Sequence, residues 1–183
     1  TNNKYSPFPE EMNRQMVDCM TDMYFAPTNL SKENLLKESK EESKIYVTGN
    51  TVIDAMSTTV DNNYIHPELE WFKPGEKMIL LTVHRRENLG NPMQHIFKAI
   101  KKIVDEFSDV KVIYPIANKI FEGCNKVKLI EPLEVFDFHN FQNKSYIILT
   151  DSGGIQEEAP ALGKPVLVLR ETTERTEGIE AGT

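Results

Sequence analysis

Long apolar runs are lacking in this chain of 183 residues. No stretch approaches the roughly 20 consecutive apolar residues that crossing a bilayer requires, so a membrane protein is not expected. Cysteine is scarce. The two present, Cys19 and Cys124, lie far apart, in a spacing that fits neither a metal site nor a redox pair. Reduced core or surface thiols are the expectation, which suits the cytoplasm. The opening TNNKYSPFPEE is polar and broken by proline, unlike a secretion signal. Positive charge is in deficit, with a net charge of -7 and no visible basic face. A nucleic-acid partner is therefore not expected, and local basic pairs such as Arg85-Arg86 must answer to a smaller anion. Neither GxGxxG nor GxxxxGKS/T occurs, which removes the usual dinucleotide and P-loop fingerprints.

What the chain does have is 39% hydrophobic residues, enough for a core, arranged as alternating strand and helix. Strand candidates are Met23 to Ala26, Ile45 to Thr48, Met78 to Val83, Val110 to Pro115, Val127 to Ile130, Tyr146 to Thr150 and Pro165 to Leu169. Most are short, continuous and bounded by turn or charge residues, as in strands buried on both faces of a parallel sheet. In PMQHIFKAIKKIVDEF, Ile96, Phe97, Ile100, Ile103, Val104 and Phe107 recur at three- and four-residue steps. That spacing predicts an amphipathic helix lying on a sheet. Glu10 to Thr21 and Ile155 to Leu162 also read as helices. The alternation predicts a doubly wound α/β fold. Residues 58–77, rich in Asp, Asn and Pro, read as a junction between an N-terminal part, 1–57, and a C-terminal part, 78–183.

Three features suggest missing residues. The chain starts without methionine, in a loop, and stops at EAGT after a helical stretch. Between the strands VIYPI and KVKLI lie only nine residues, Ala117 to Asn125. A parallel crossover normally needs about 10 to 12, including a helix and two loops. Either residues are missing at Ile116–Ala117 or the crossover is irregular, and the first is favoured.

The richest chemistry lies in TDSGGIQEEAPALGKPVLVLR, residues 150 to 170. Ser152, Gly153 and Gly154 turn the chain from a strand into a helix, and unpaired amides at a helix start bind phosphate. Glu158, about one turn further, suits a grip on a ribose diol. Taken singly, the turn could be an ordinary βα connection and Glu158 a solvated helix residue; the combination favours a nucleotide. LTVHRRENLG again follows a strand, at the sheet edge where doubly wound folds bind ligands. His84 can move protons or bond a phosphate oxygen, and Arg85 and Arg86 can balance anionic charge. His66, His95 and His139 lack such company and read as structural or surface residues. Glu10 and Glu11 open a helix, where capping alone would explain them. Arg175, in ETTERTEG, follows a strand and could reach an anion.

Together SPFPEEMNRQ, FAPTNLSKENLL, VTGNTVIDA, LTVHRRENLG, FDFHNF, LTDSGGIQEEAPALGKPVLVLRETTER and EAGT resemble the non-hydrolysing UDP-N-acetylglucosamine 2-epimerase family. The resemblance covers nearly the whole chain in the family's order. It implies a glycosyltransferase-B-type α/β fold of two Rossmann-like halves, with the N-terminal half largely missing here. It also implies a His-x-Asn-Pro segment after VIYPI, where the crossover is short. By this resemblance Ser152, Gly153 and Gly154 hold a diphosphate, Glu158 the ribose, and Phe138, in a loop after PLEVF, the uracil. His84, with Arg85 beside it, and Arg175 match substrate-binding positions. Glu10 and His84 are the implied catalytic residues, and the resemblance also links Glu10 to a second, regulatory UDP-GlcNAc site. The family usually has proline where this chain has Thr176.

The implied reaction interconverts UDP-GlcNAc and UDP-ManNAc in a cytoplasmic homodimer that feeds cell-surface polysaccharide synthesis, with no cofactor and no metal. UDP is eliminated across C1–C2 to a glycal and added back, which needs fixed donors for the diphosphate and two positioned acid–base groups. A hydrolysing epimerase, a UDP-sugar glycosyltransferase and a silent UDP-sugar-binding protein remain open as alternatives.

Overall fold

In the computed structural model, which describes residues 3–5, 8–85, 88–116, 124–170 and 178, each of the seven apolar runs forms a strand. The chain divides into two compact units, residues 1–51 and 52–183. The first holds α1 (Glu10–Asp18), β1 (Tyr24–Ala26), α2 (Asn29–Lys37) and β2 (Ile45–Val47). Then come α3 (Thr51–Thr59), a 3-10 turn at Pro67–Trp71, β3 (Lys77–Thr82), α4 (Asn91–Glu106), β4 (Val110–Pro115) and β5 (Val127–Ile130). α5 (Val135–Lys144), β6 (Ile147–Thr150), α6 (Ile155–Ala161) and β7 (Val166–Val168) complete the order.

Five strands of the second unit form one parallel sheet in the order β5-β4-β3-β6-β7. Successive residues of β3 point to opposite faces, and both faces are covered. Ile79, Leu81 and Val83 pack with Val112 and Tyr114 of β4 against Ile100 and Val104 of α4. Met78 and Leu80 pack with Ile113 and Ile148 against Phe141 of α5 and Ile155 and Ala159 of α6. This is why the strands read as unbroken apolar runs rather than as alternating patterns. Trp71 and Phe72 of the segment before β3 join the second cluster, and Lys111 of β4 lies 4.6 Å from the Trp71 ring centre.

Helices α2, α3 and α5 were not anticipated from the sequence. In α5 the consecutive residues His139, Asn140, Phe141 and Gln142 are all buried. A helix covered on most sides shows no amphipathic period, and its Phe, Asn, Asp and His content has low helix propensity. Phe138, expected in a loop, therefore sits inside a helix. β4 and β5 are adjacent and parallel, Val112 opposite Val127, so the short connection between them is a true crossover. Residues 117–123, and with them the expectation about Ile116–Ala117, lie outside the described residues.

The first unit is a parallel β1–β2 pair, Tyr24 opposite Ile45, joined through α2. Thr28 caps that helix, its Oγ1 accepting from the Ser31 amide at 3.1 Å. Arg14 of α1 ties the helices together. Its guanidinium donates to both oxygens of Glu11 (2.6 and 3.0 Å), both of Glu38 (2.8 and 2.9 Å) and Asp18 Oδ2 (2.7 Å). Glu38 stands at the end of α2, so this planar fork links α1 to α2 bidentately. Glu11 is buried, whereas Glu10 beside it is exposed.

Hydrogen bonds from Arg14 hold the Glu11 carboxyl at about 2, well below its ordinary 4.5. A depressed folded-state value means the stabilisation is complete above the ordinary value and is lost as pH falls through the folded one. We expect urea midpoints of the full-length protein to drop between about pH 5 and pH 2, and to drop less in Glu11→Gln. Equal acid sensitivity of the two proteins would contradict this role for Glu11.

Candidate functional site

The strand order reverses between β3 and β6. From β3 the chain proceeds through α4 to β4 and β5, then returns across the sheet by α5 to β6 on the other side of β3. In open parallel sheets, the loops that diverge at such a point leave a crevice at the carboxyl ends of the strands. Here those loops are His84–Arg85, after β3, and Asp151–Gly154, after β6. The two loops singled out from the sequence thus emerge side by side, with Thr82 opposite Thr150.

Asp151 joins them. It is fully buried, and its carboxylate accepts from the His84 amide at 3.0 Å, the Arg85 amide at 2.9 Å and Asn88 Nδ2 at 2.8 Å. Asn88 Nδ2 also reaches the Leu169 carbonyl at 3.2 Å, drawing in the loop after β7. Below this layer the Thr82 and Thr150 hydroxyls are 2.6 Å apart, and Thr150 Oγ1 accepts from the Ser152 amide at 3.0 Å. The Tyr114 hydroxyl donates to the Val83 carbonyl. Burial, with the Asp151 charge near it, pushes that phenol up to about 12, so it stays a donor at neutral pH. With its backbone so held, the His84 side chain remains 66% exposed, Nδ1 lying 3.6 Å from Asp151 Oδ1. Arg85 is half-buried.

On the other loop, the amides of Gly153, Gly154 and Ile155 have no hydrogen-bond partner among the described residues. Three donors at the first turn of α6 suit an anion. Glu158 is not a solvated helix residue. It is half-buried, its Oε2 accepts from Gln142 Nε2 at 2.7 Å, and its Oε1 lies 3.3 Å from where a Cβ on Gly154 would stand. Gly154 leaves the carboxylate room beneath the turn, where a Cβ would press on it. Phe138 packs at the edge of the core cluster on the same face of the sheet as Glu158's helix.

A cavity of about 430 Å³ opens beside His84 on the α4 side, lined mainly by Leu89, Met93, Phe97 and Tyr114. His84, Arg85, Phe138, Ser152, Gly153, Gly154 and Glu158 all belong to the second unit, Glu10 belongs to the first, and Arg175 lies outside the described residues. His139 is buried against the Thr59 hydroxyl at 2.7 Å, His66 accepts from the Glu68 amide, and His95 is exposed on α4, in keeping with structural or surface roles. Among the described residues no cluster of three metal-ligating side chains occurs, and no helix is long and apolar enough to cross a membrane. Sequence reasoning missed Asp151, Asn88 and Gln142. Asp151 could have been noticed as a lone charge directly after an apolar run.

A family profile described as UDP-N-acetylglucosamine 2-epimerase matches residues 1–183. A Bacillus subtilis UDP-N-acetylglucosamine 2-epimerase is 63% identical over all of this chain and half of its own length. An S. aureus protein solved with UDP superposes with a TM-score of 0.93 at 53% identity, over 100% of this chain and 52% of that one. A Neisseria meningitidis UDP-GlcNAc 2-epimerase bound to UDP-GlcNAc gives 0.90 at 42%, over 100% and 53%. The chain spans about half the length of the curated relatives it matches. The B. subtilis alignment runs over 193 residues against the 183 here, so residues of that relative lack a counterpart in this chain.

Replacing Asp151 by asparagine puts an amide where three donors converge. We expect a loss of at least about 2 kcal/mol in urea denaturation, with faster amide exchange at His84 and Arg85. Unchanged exchange at both amides would show that Asp151 does not hold this loop.

Proposed function

The chain belongs to the UDP-N-acetylglucosamine 2-epimerase family, and we propose that it is part of a non-hydrolysing enzyme interconverting UDP-GlcNAc and UDP-ManNAc. One observation carries this reading. Amides at Gly153, Gly154 and Ile155 that have no partner among the described residues, beside a carboxylate held at Glu158, stand at the strand-order reversal. Nucleotides bind at such a place. The turn of Ser152, Gly153 and Gly154 receives the diphosphate, Glu158 grips the ribose diol, and Phe138 faces the uracil. His84 and Arg85 reach the diphosphate and the sugar, and Arg175 adds positive charge.

The C2 proton of the sugar is only weakly acidic, so its removal is coupled to loss of the C1 substituent. A base takes the C2 proton as the C1–O bond to UDP breaks, giving the glycal and UDP. The β-phosphate oxygen then re-forms the bond to C1 while an acid delivers a proton to the opposite face of C2. No net oxidation occurs, so the reaction needs no hydride carrier. UDP stays bound throughout, which the fixed amides of the turn accomplish because their orientation is set before charge develops on the leaving oxygen. Glu10 supplies one acid–base group, being the exposed carboxylate of its pair. Partnership in a homodimer, and a second UDP-GlcNAc acting as a regulator, belong to the same proposal.

The test is proton NMR of UDP-GlcNAc with the full-length protein in D2O. Deuterium is expected at C2 of both epimers, without free ManNAc; release of free ManNAc would identify a hydrolysing enzyme instead. The two carboxylates should separate in calorimetry and turnover. Glu158→Gln is expected to weaken UDP binding roughly tenfold, the size of one lost charge-assisted hydrogen bond. Glu10→Gln should bind UDP almost as the wild type does and turn over more slowly. Equal losses of affinity in both variants would contradict these roles.

A further inference from the structure

Gln142 breaks a local rule. It is fully buried on α5, beside Phe141 at the centre of an apolar cluster. Its Nε2 donates to Glu158 Oε2 at 2.7 Å, while its Oε1 is buried with no hydrogen-bond partner among the described residues. A leucine or methionine would fill the same space without leaving a buried acceptor unpaired, and an unpaired acceptor is unfavourable. The cost is offset only by what Nε2 does. Because an ionised carboxylate accepts and never donates, the amide can meet Glu158 in one orientation alone.

We propose that Gln142 is a positioning residue that sets ribose-against-deoxyribose discrimination, by locking the Glu158 carboxylate in the rotamer that faces a nucleotide diol. The inference rests on the reading of Glu158 as the ribose ligand. One contact makes the lock, and the turn leaves room for it: Gln142 holds Oε2 from the α5 side, and a Cβ on Gly154 would press on Oε1 at 3.3 Å. Gln142 is also four residues beyond Phe138, so both lie on one face of α5. A single helix face thus presents the proposed base contact and braces the proposed ribose contact. α5 itself is anchored where it can do so. Asn140 Oδ1 accepts from the Asp61 amide, and its Nδ2 donates to the carbonyls of Thr59 and Phe136, each near 2.8 to 2.9 Å. Bracing a carboxylate from a second layer fixes the oxygen that the ligand meets, and a loosely held carboxylate would lose much of its selectivity between hydroxyl and hydrogen.

The experiment compares the affinities of UDP and 2′-deoxy-UDP, by calorimetry, for the full-length wild type, Gln142→Leu and Glu158→Gln, with circular dichroism to confirm that each variant is folded. The wild type is expected to prefer UDP, and Glu158→Gln to lose that preference. Gln142→Leu should lose most of it, roughly tenfold, while 2′-deoxy-UDP affinity stays unchanged. Gln142→Glu, which sets a second carboxylate against Glu158, should lose it as well. If Gln142→Leu keeps the wild-type ratio, or weakens both ligands equally, the positioning role is overturned while the ribose reading stands. If Glu158→Gln itself keeps the ratio, the ribose reading fails and the inference falls with it.

Discussion

A buried carboxylate left without donors would be intolerable in this sheet, and at Asp151 the donors come from the chain around it. The side chain is fully buried and meets two backbone amides and one side-chain amide. Removing any of them strands charge in a low-dielectric interior. The backbone at His84 and Arg85 is therefore not free to wander, although the His84 imidazole is largely exposed. Everything at this edge hangs from that constraint. Asn88 passes it on to Leu169 after β7, and the Thr82–Thr150 hydroxyl pair beneath it fixes where Ser152 begins the next turn. An exposed imidazole on a firmly held backbone is obtained here by burying the anchor, Asp151, rather than the histidine.

The opposite side of the crevice is organised by α5. Helices that carry sheet-facing contacts are usually apolar on that side, yet α5 buries His139, Asn140 and Gln142 together. Each has a partner outside the helix: Thr59 for His139, Asp61 and Thr59 for Asn140, Glu158 for Gln142. Buried polar contacts are directional, and they set the rotation of a helix more sharply than apolar packing does. The rotation of α5 in turn decides where Phe138 and Gln142 stand relative to Glu158.

In the first unit the division of labour between neighbouring acids follows from one guanidinium. Arg14 engages Glu11, Asp18 and Glu38 and so occupies the buried acid of the pair. Glu10, on the adjacent exposed position, takes no part in that network among the described residues. The dipole argument for acids in a first helical turn covers both residues equally and cannot separate them. The position of Arg14 three residues beyond Glu11 and four before Asp18 separates them, because those spacings bring side chains together on a helix.

The amino-acid sequence by itself determined the strands, because a strand buried on both faces must be a short run of apolar residues whatever its neighbours are. It determined the long helix α4, whose one-sided burial imposes the three- and four-residue period. It also determined that Ser152, Gly153 and Gly154 turn between a strand and a helix, since that depends only on residues adjacent along the chain. Tertiary structure alone decided the rest. Neither the identity of α5 as a helix nor the place of Phe138 within it was legible, because burial on most sides erases the amphipathic pattern. The partnership of Asp151 with His84 and Arg85 depends on β6 lying beside β3, a neighbour more than sixty residues away along the chain. The pairing of Gln142 with Glu158 depends on α5 and α6 sharing one face of the sheet. Periodicity records which residues are covered. Only the strand order and the packing of helices upon it record what covers them, and a polar group's role is set by that partner.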